Sequence, residues 1–337
     1  NCFMTIEKLK QALADKPNFR LKQAIRLVFV DLIDDWSKAS VFPLELREEL
    51  NKKIPLEIKA DLFLSKDQNS GKAMITLIDG LKVETALMSH DDDRNTACLS
   101  SQIGCPLACK FCATGQMGFS RNLDYSEILI QALFWARFLK QKGKRLTNVV
   151  FMGMGEPFLN YDNVFKSIKF LNDADLFNIS SRKIAISTIG LVNEIKKMAE
   201  ERIKIDLAIS LHSPDDTLRA KLMPYTKNYS IKKLFEATDF YIKKTNRKVM
   251  LEYLLIKDVN DTKKEAEKLV DLLDNKKLYL LNLIKYNETG NFKASDKKAI
   301  IDFKNILKRG GVNVVERYRF NQDVFGACGQ LALKSST

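Results

Sequence analysis

Strand-like and helix-like segments alternate along the chain from Thr96 onward. Short apolar runs of strand length occupy residues 97–102, 148–152, 183–187, 204–210, 249–256, 279–285 and 312–316. Amphipathic stretches of helical length lie between them, at residues 126–141, 161–171, 191–200, 231–243, 263–273 and 296–308. This alternation predicts a mainly parallel sheet covered by helices. No G-x-G-x-x-G pattern follows the first strand. We therefore predict an α/β fold with a partial (β/α)6-type barrel, whose site lies at the C-terminal ends of its strands.

The first ninety residues have a different pattern. Residues 5–13, 20–32 and 43–51 have helix-like spacing of apolar residues. Residues 72–77 and 81–88 are strand candidates on either side of Asp79-Gly80, a common hairpin turn. An acidic loop at residues 91–93 follows. We predict a small N-terminal α/β accessory domain over residues 1–90 and a main domain over residues 91–337.

The chain is basic, and the excess is uneven. Its net charge is +13, with 55 Lys and Arg against 42 Asp and Glu. Nearly all of the excess lies after residue 90. Basic surfaces attract polyanions, most often nucleic acid, although a solvated lysine-rich surface is the alternative. No apolar run approaches the roughly 18 residues of a membrane span, and the first ten residues lack the apolar stretch of a secretory signal. We expect a cytoplasmic protein without a membrane partner.

Three of the six cysteines form a compact C-x3-C-x2-C group, Cys105, Cys109 and Cys112. Thiolates are soft ligands suited to iron–sulfur clusters or zinc. A structural zinc site needs four ligands, and no histidine is near. Three thiolates on a four-iron cluster leave one iron open, and that iron can chelate the amino and carboxylate groups of S-adenosylmethionine (SAM). The alternatives are a zinc site completed by Cys98, or three unrelated buried thiols.

The spacing is the signature of the radical SAM superfamily, and further motifs narrow the resemblance. These motifs occupy residues 98–105, 111–123, 151–157, 187–190, 210–212, 282–287 and 327–331. In this order they resemble the RlmN/Cfr family of radical SAM RNA methyltransferases, from about Val83 to Leu331. The resemblance implies a radical SAM barrel with a small accessory domain, a 4Fe–4S cluster on the three cysteines, and SAM.

The resemblance also implies a set of SAM-binding residues, which follow the predicted strands. They are Gly155, Glu156, Ser187, Ser210, Leu211, His212 and Asn287. Taken singly, each has an ordinary structural interpretation: a tight turn for the glycine, a helix N-cap for a serine, or a structural role for a lone histidine. The shared location after strands favours the binding interpretation.

Three more residues match catalytic positions of the family. Cys328 matches the methyl carrier, which one SAM methylates and which a radical from a second SAM then activates for addition to adenine. Cys98 matches the cysteine that resolves the resulting adduct by a transient disulfide with Cys328, and in a reducing compartment such a disulfide is more often catalytic than structural. Glu84 matches the proton acceptor. The alternatives are a buried strand residue for Cys98 and a solvated strand carboxylate for Glu84.

The family resemblance implies an RNA partner. Members modify an adenosine at the peptidyl-transferase centre of 23S rRNA, and some modify one beside the tRNA anticodon. We expect an electron donor such as flavodoxin or ferredoxin, and we expect the enzyme to be a monomer.

Pro157 and Glu252-Tyr253 resemble RlmN, which methylates adenine carbon 2. Ile189, Ser213-Pro214 and residues 222–224 resemble Cfr, which methylates carbon 8. We favour carbon 2. An activase that makes a protein radical, or an RNA-binding module with a structural metal, are the rival classes.

Overall fold

A long, mostly parallel sheet organises the chain. The structure is a computed structural model that describes residues 5–66, 68–274, 276–290, 292–317, 324, 326–327 and 329–331. Its helices are α1 Ile6–Ala12, α2 Asn18–Phe29, α3 Leu44–Lys53, α4 Ala113–Gln116, α5 Tyr125–Gln141, α6 Tyr161–Asn172, α7 Val192–Glu200, α8 Asp216–Leu222, α9 Ile231–Thr245, α10 Lys263–Leu272 and α11 Lys297–Arg309. Its strands are β1 Ala60–Leu64, β2 Gly71–Thr76, β3 Lys82–Ser89, β4 Asn95–Cys98, β5 Gln102–Gly104, β6 Phe119–Asn122, β7 Asn148–Phe151, β8 Ile184–Thr188, β9 Asp206–Ser210, β10 Val249–Leu255, β11 Tyr279–Lys285 and β12 Val314–Glu316.

The strand order explains how one end of the sheet becomes a site. Ten strands pair in the order β1-β2-β3-β4-β7-β8-β9-β10-β11-β12. Within this sheet every pairing from β4 to β12 is parallel, whereas β1 to β4 pair antiparallel. Strands β5 and β6 form a separate antiparallel pair. The parallel part, with its crossover helices, is the predicted partial barrel. The carboxyl ends of its strands lie at one edge, where loops of different strands meet.

The helices pack on the sheet through apolar faces, as the spacing of their apolar residues predicted. In α5, for example, Trp135 is fully buried and its Nε1 donates to Thr85 Oγ1 at 3.1 Å. Asp124 caps the start of α5, and Glu127 completes a capping box. The neighbouring strands β10 and β11 are buried on both faces, which explains their continuous apolar character.

One predicted strand is wrong in its extent. We expected a single strand at residues 97–102, but β4 ends at Cys98 and β5 begins at Gln102. A side chain replaces the sheet ladder between them: the backbone N–H of Ser100 donates to Gln131 Oε1 at 2.8 Å, and Gln131 Nε2 donates to the Ser100 carbonyl at 3.0 Å. The break turns the following cysteine loop over the end of the barrel. Strands β1 and β6 and helices α4 and α8 were not predicted.

The N-terminal residues contribute two different layers. Helices α1 to α3 have a separate apolar core around Trp36, whose Nε1 donates to the Ile54 carbonyl at 2.8 Å. The hairpin at Asp79-Gly80 forms as predicted, but β1 to β3 extend the main sheet. We retain a boundary at residue 90 as a proposal. In the part of the chain that is described, no helix combines the length and apolar character that crossing a bilayer requires.

Candidate functional site

A cavity of about 160 Å³ at the carboxyl ends of the strands brings the cysteine motif together with most of the predicted cofactor-binding residues. Its lining includes Cys105, Cys109, Cys112, Gly155, Glu156, Ser187, Ser210 and His212. These residues lie at or after the carboxyl ends of four different strands, so they come together through the fold and not through proximity in the sequence. The site lies where active sites of α/β barrels are found.

The three cysteines of the motif are largely withdrawn from water. Burial raises the pKa of Cys105 to about 12 and the pKa of Cys109 well above its usual range. Without a metal these thiols are therefore neutral, and a bound metal centre must displace their protons. Among the described residues, no three His, Cys, Asp or Glu side chains are arranged to hold one metal ion. The three cysteines instead line one cavity.

Arg219 places a buried positive charge beside this cavity. Its side chain is 1% exposed, and its Nη1 is buried without a hydrogen-bond partner in the described structure. Its other nitrogens donate to backbone carbonyls, including those of Leu211 at 3.3 Å and Ser210 at 3.2 Å. Burial lowers the pKa of Arg219 to about 10, so it remains charged. Its charge lowers the pKa of Cys109, in opposition to the larger effect of burial, and so favours the thiolate. A thiolate-ligated anionic cluster fits this arrangement.

Glu156 is held rigidly at the wall of the cavity. Its Oε1 accepts from the Phe158 N–H at 3.0 Å and its Oε2 from the Ile189 N–H at 2.9 Å. Burial is the main influence on the carboxyl and raises its pKa to about 7. Gly155 before it has φ +98°, and a Cβ there would lie 2.6 Å from Gln102 Cβ. Only glycine fits this turn.

The raised pKa of Glu156 predicts a pH-dependent stability. The folded state binds the proton more tightly than the unfolded chain does. This contribution is present below the ordinary pKa of 4.5 and is lost as pH rises through about 7. We expect the metal-free protein to lose about 3 kcal/mol of unfolding free energy from this group between pH 4.5 and 8. Denaturant unfolding of wild type and Glu156→Gln measures it. Equal pH dependence in the two proteins would contradict the assignment.

The serine and histidine motifs reach the cavity in different ways. Ser187 and Ser210 line it directly, whereas Leu211 is fully buried and has its side chain in the core. His212 has φ +54°, an uncommon conformation for a non-glycine residue. Its Nδ1 accepts from the Leu254 N–H at 3.1 Å, and its ring meets Phe111 edge-on at 4.7 Å. Burial lowers its pKa to about 3, so the imidazole is neutral and its Nε2 carries the hydrogen.

A second cavity of about 90 Å³ adjoins the first and contains Cys98. Cys112, Thr114 and Arg317 line both cavities. Cys98 therefore lies beside the space bounded by the three motif cysteines. Asn287, assigned to SAM from the family resemblance, lines this second cavity.

Two hydrogen bonds join the described part of the C-terminal tail to the start of α4, directly after Cys112. The Ala113 N–H donates to the Gly329 carbonyl at 2.9 Å, and Thr114 Oγ1 donates to the Leu331 carbonyl at 2.9 Å. Ala327 and Gly329 line the cavity that contains Cys98. Cys328 and Cys2 lie outside the described residues. Even so, both described neighbours of Cys328 lie at the cavity where the family resemblance requires a methyl carrier.

Glu84 lies on β3, two positions before Ala86, which lines the second cavity. Its carboxylate is paired with Lys72, and the two side chains are 10% and 1% exposed. Sequence patterns did not single out Lys72 or Arg219. The burial of Lys72 could have been suspected only from its position, since a charged residue stands there at an inward position of an alternating strand. Nothing in the sequence indicates that Arg219 is buried, because an arginine in a short helix usually faces solvent.

Comparisons with known proteins agree with this geometry. The family model described as "Radical SAM superfamily" matches residues 99–273. A probable dual-specificity RNA methyltransferase RlmN of Dictyoglomus thermophilum is 42% identical over 318 residues, covering 94% of this chain and 91% of the relative. The ribosomal RNA large subunit methyltransferase N of Nitrosopumilus maritimus is 38% identical over 323 residues, covering 93% and 92%. The crystal structure of a radical SAM methyltransferase from Sphaerobacter thermophilus superposes with a TM-score of 0.91 at 37% identity, covering 97% of each chain.

Proposed function

Since the chain belongs to the RlmN family of radical SAM RNA methyltransferases, we propose that it methylates carbon 2 of an adenosine in 23S rRNA, and that a tRNA adenosine beside the anticodon is a further substrate. One observation carries the proposal. The carbonyls of Gly329 and Leu331 accept hydrogen bonds from Ala113 and Thr114 at the start of α4, and Ala327 and Gly329 line the cavity that contains Cys98. The described neighbours of position 328 thus lie beside Cys98, which supports a methyl carrier and a resolving thiol that act together.

SAM and an iron–sulfur cluster are the cofactors of this family, and we propose a 4Fe–4S cluster on Cys105, Cys109 and Cys112. When bound, the cluster and SAM supply a radical able to remove a hydrogen atom. The residues present suit these groups because three thiols line one cavity and the buried Arg219 cation favours the thiolate form of Cys109. A flavodoxin or ferredoxin would deliver the electron.

We assign the SAM-binding roles by position around the first cavity. Glu156 accepts hydrogen bonds from the amino group of SAM, and Gly155 lets that group approach the backbone. Ser187, Ser210 and His212 donate to its polar atoms, and His212 does so from Nε2 because Nδ1 already accepts from Leu254. Leu211 contributes only backbone atoms, since its side chain is buried. Asn287 approaches from the second cavity.

We assign the chemistry on RNA to three residues. The Cys328 sulfur receives a methyl group by displacement and then loses one hydrogen atom from that methyl. The resulting carbon bonds to adenine, which joins enzyme and RNA. This adduct gives up one electron, which returns to the electron-transfer partner, and one proton, which Glu84 accepts. The Cys98 thiolate then attacks the Cys328 sulfur, which forms a disulfide and breaks the bond between that sulfur and the methylene carbon. The released carbon takes up a proton and becomes the methyl group of the base. This route suits an sp2 ring carbon, which is a poor nucleophile toward SAM itself.

Mass spectrometry of nucleosides tests the regiochemistry directly. The purified enzyme, reconstituted with iron and sulfide and supplied with a reductant, is incubated with unmethylated 23S rRNA and separately with tRNA. The product expected is 2-methyladenosine. If the enzyme makes 8-methyladenosine alone, the Cfr-like features at Ile189 and Ser213 determine the outcome and the carbon 2 assignment is wrong.

The basic excess after residue 90 predicts salt-sensitive RNA binding. Lysine and arginine contacts to phosphates release counterions, so affinity falls steeply as salt increases. We expect a loss of at least about a hundredfold between 50 and 200 mM salt, measured by fluorescence anisotropy with a labelled rRNA fragment. Base choice would come from an unstacked adenosine rather than from grooves of the RNA helix. A flat salt response would contradict the electrostatic part of the account.

A further inference from the structure

Lys72 is the one lysine among the described residues whose side chain is fully withdrawn from water. It is 1% exposed, and its Nζ lies 3.4 Å from Glu84 Oε1 and 5.7 Å from the centroid of the Phe63 ring. Taking an ammonium group and a carboxylate out of water costs several kcal/mol for each ion. Buried pairs of this kind are often no more stable than an apolar pair of similar volume. Stability alone therefore does not explain why the hairpin carries these charges.

The strand registers place this pair on the face of the sheet that carries Cys98. Lys72 on β2 lies opposite Ala86 on β3, and Ala86 lies opposite Cys98 on β4. Glu84 shares the face of Ala86 because alternate residues of a strand point the same way. Thr85 confirms the alternation, since its Oγ1 contacts Trp135 on the opposite, helix-covered face. The ion pair and Cys98 therefore lie on one face of the sheet, on which Ala86 and Cys98 line the second cavity.

The backbone of Glu84 is also fixed. Its carbonyl accepts from Ser100 Oγ at 2.6 Å, and the same hydroxyl accepts from the Met154 N–H at 2.7 Å. Glu84 is thereby tied to the loops that follow β4 and β7, which carry the cysteine motif and Glu156. The backbone of Glu84 is anchored and its carboxylate is paired with the buried Lys72 ammonium group, so this side chain is held in one position.

We propose that Lys72 is a positioning residue that fixes the Glu84 carboxylate in one position, aimed at the RNA adduct. This rests on the proposed role of Glu84 as proton acceptor. A proton acceptor must lie within hydrogen-bond reach of the proton that it removes, and an adjacent ammonium group restricts the carboxylate to one position through a charge-assisted contact. Lys72 makes that interaction from the neighbouring strand. Its effect should therefore appear only in the proton-removal stage, after Cys328 has been methylated.

Lys72→Gln and Lys72→Met test the proposal, with Lys72→Arg as the variant that keeps the charge. Lys82→Met is the matched control, because Lys82 lies on the same hairpin in an exposed pair with Asp61 at 3.5 Å. We expect Lys72→Gln and Lys72→Met to retain iron content and methylation of Cys328, measured by protein mass spectrometry. Adduct resolution should slow by about tenfold or more, so that protein–RNA adduct accumulates. Lys72→Arg should resolve it faster than either, and Lys82→Met should behave as wild type.

Rescue by the charge-conserving variant separates positioning from folding. In Lys72→Arg the guanidinium replaces the ammonium beside Glu84, so adduct resolution should be largely restored. A general folding defect would lower iron content and Cys328 methylation together with adduct resolution. If Lys72→Met does not fold, Lys72→Gln and Lys72→Arg still decide the outcome.

A failure of the proposed role of Lys72 can be distinguished from a failure of the proposed role of Glu84. Wild-type resolution in Lys72→Gln, combined with adduct accumulation in Glu84→Gln, would overturn the role of Lys72 and leave Glu84 in place. Wild-type turnover by Glu84→Gln would instead remove Glu84 from the mechanism. In the double variant Lys72→Gln/Glu84→Gln, the defect should equal that of Glu84→Gln alone, because both changes act at one step. A defect equal to the product of the two single effects would contradict the proposal.

Discussion

The Cys98→Ala enzyme is expected to become covalently joined to its RNA. It keeps the three motif cysteines and Cys328, so methylation of the carrier and addition to adenine should proceed. It lacks the thiol proposed to attack the Cys328 sulfur, so the adduct should persist. Cys98 lines the cavity that Ala327 and Gly329, the described neighbours of position 328, also line, which supports this role. On a denaturing gel the protein should run as a retarded band that ribonuclease collapses.

Two variants control this experiment. Cys328→Ala should form neither S-methylcysteine nor methyladenosine, while its cluster and SAM binding persist. Cys98→Ala/Cys328→Ala should form no adduct, which shows that the trapped RNA is attached through Cys328. If Cys98 is only a buried strand residue, its loss should lower protein yield and give no adduct. Normal turnover by Cys98→Ala without trapped RNA would remove it from the mechanism.

Cys109→Ala is expected to be colourless and inactive. Two remaining thiolates cannot hold a cluster that needs three, so both the brown colour and reductive SAM cleavage should disappear. Cys109 is 9% exposed, and alanine at this position removes only its sulfur, so the fold should survive. Circular dichroism and iron analysis separate cluster loss from unfolding. Cys98→Ala is the control, because Cys98 lies in the neighbouring cavity and that variant should remain brown. A colourless Cys109→Ala enzyme with full activity would contradict the cluster assignment.

The alternation of strands and helices was enough to predict the parallel sheet and the edge at which the site lies. Strands β10 and β11 occur where apolar runs placed them, because a strand buried on both faces leaves a continuous apolar run in the sequence. The cysteine spacing predicted one shared location for Cys105, Cys109 and Cys112. Both predictions depend only on residues that are near one another in the sequence, and such residues stay near one another in the folded protein.

Features that depend on cross-strand contacts could not be predicted in this way. The pairing of Lys72 with Glu84 follows from strand register, which alternation alone does not determine. The break after Cys98 depends on the Gln131 side chain of a helix 31 residues away. The orphaned nitrogen of Arg219 and the placement of Asn287 at the second cavity likewise depend on how distant loops meet. Their sequence neighbourhoods carry no sign of these contacts.

The central claim is that the methyl group passes through Cys328 as a methylene unit instead of being transferred whole. SAM with a fully deuterated methyl group tests this most directly. The mass of the methyladenosine released from RNA is compared with that made from ordinary SAM. Because one hydrogen of the carrier methyl is removed before the carbon reaches adenine, we expect the new methyl group to retain two of the three deuterium atoms. Retention of all three would show intact transfer and would contradict the mechanism proposed for this enzyme.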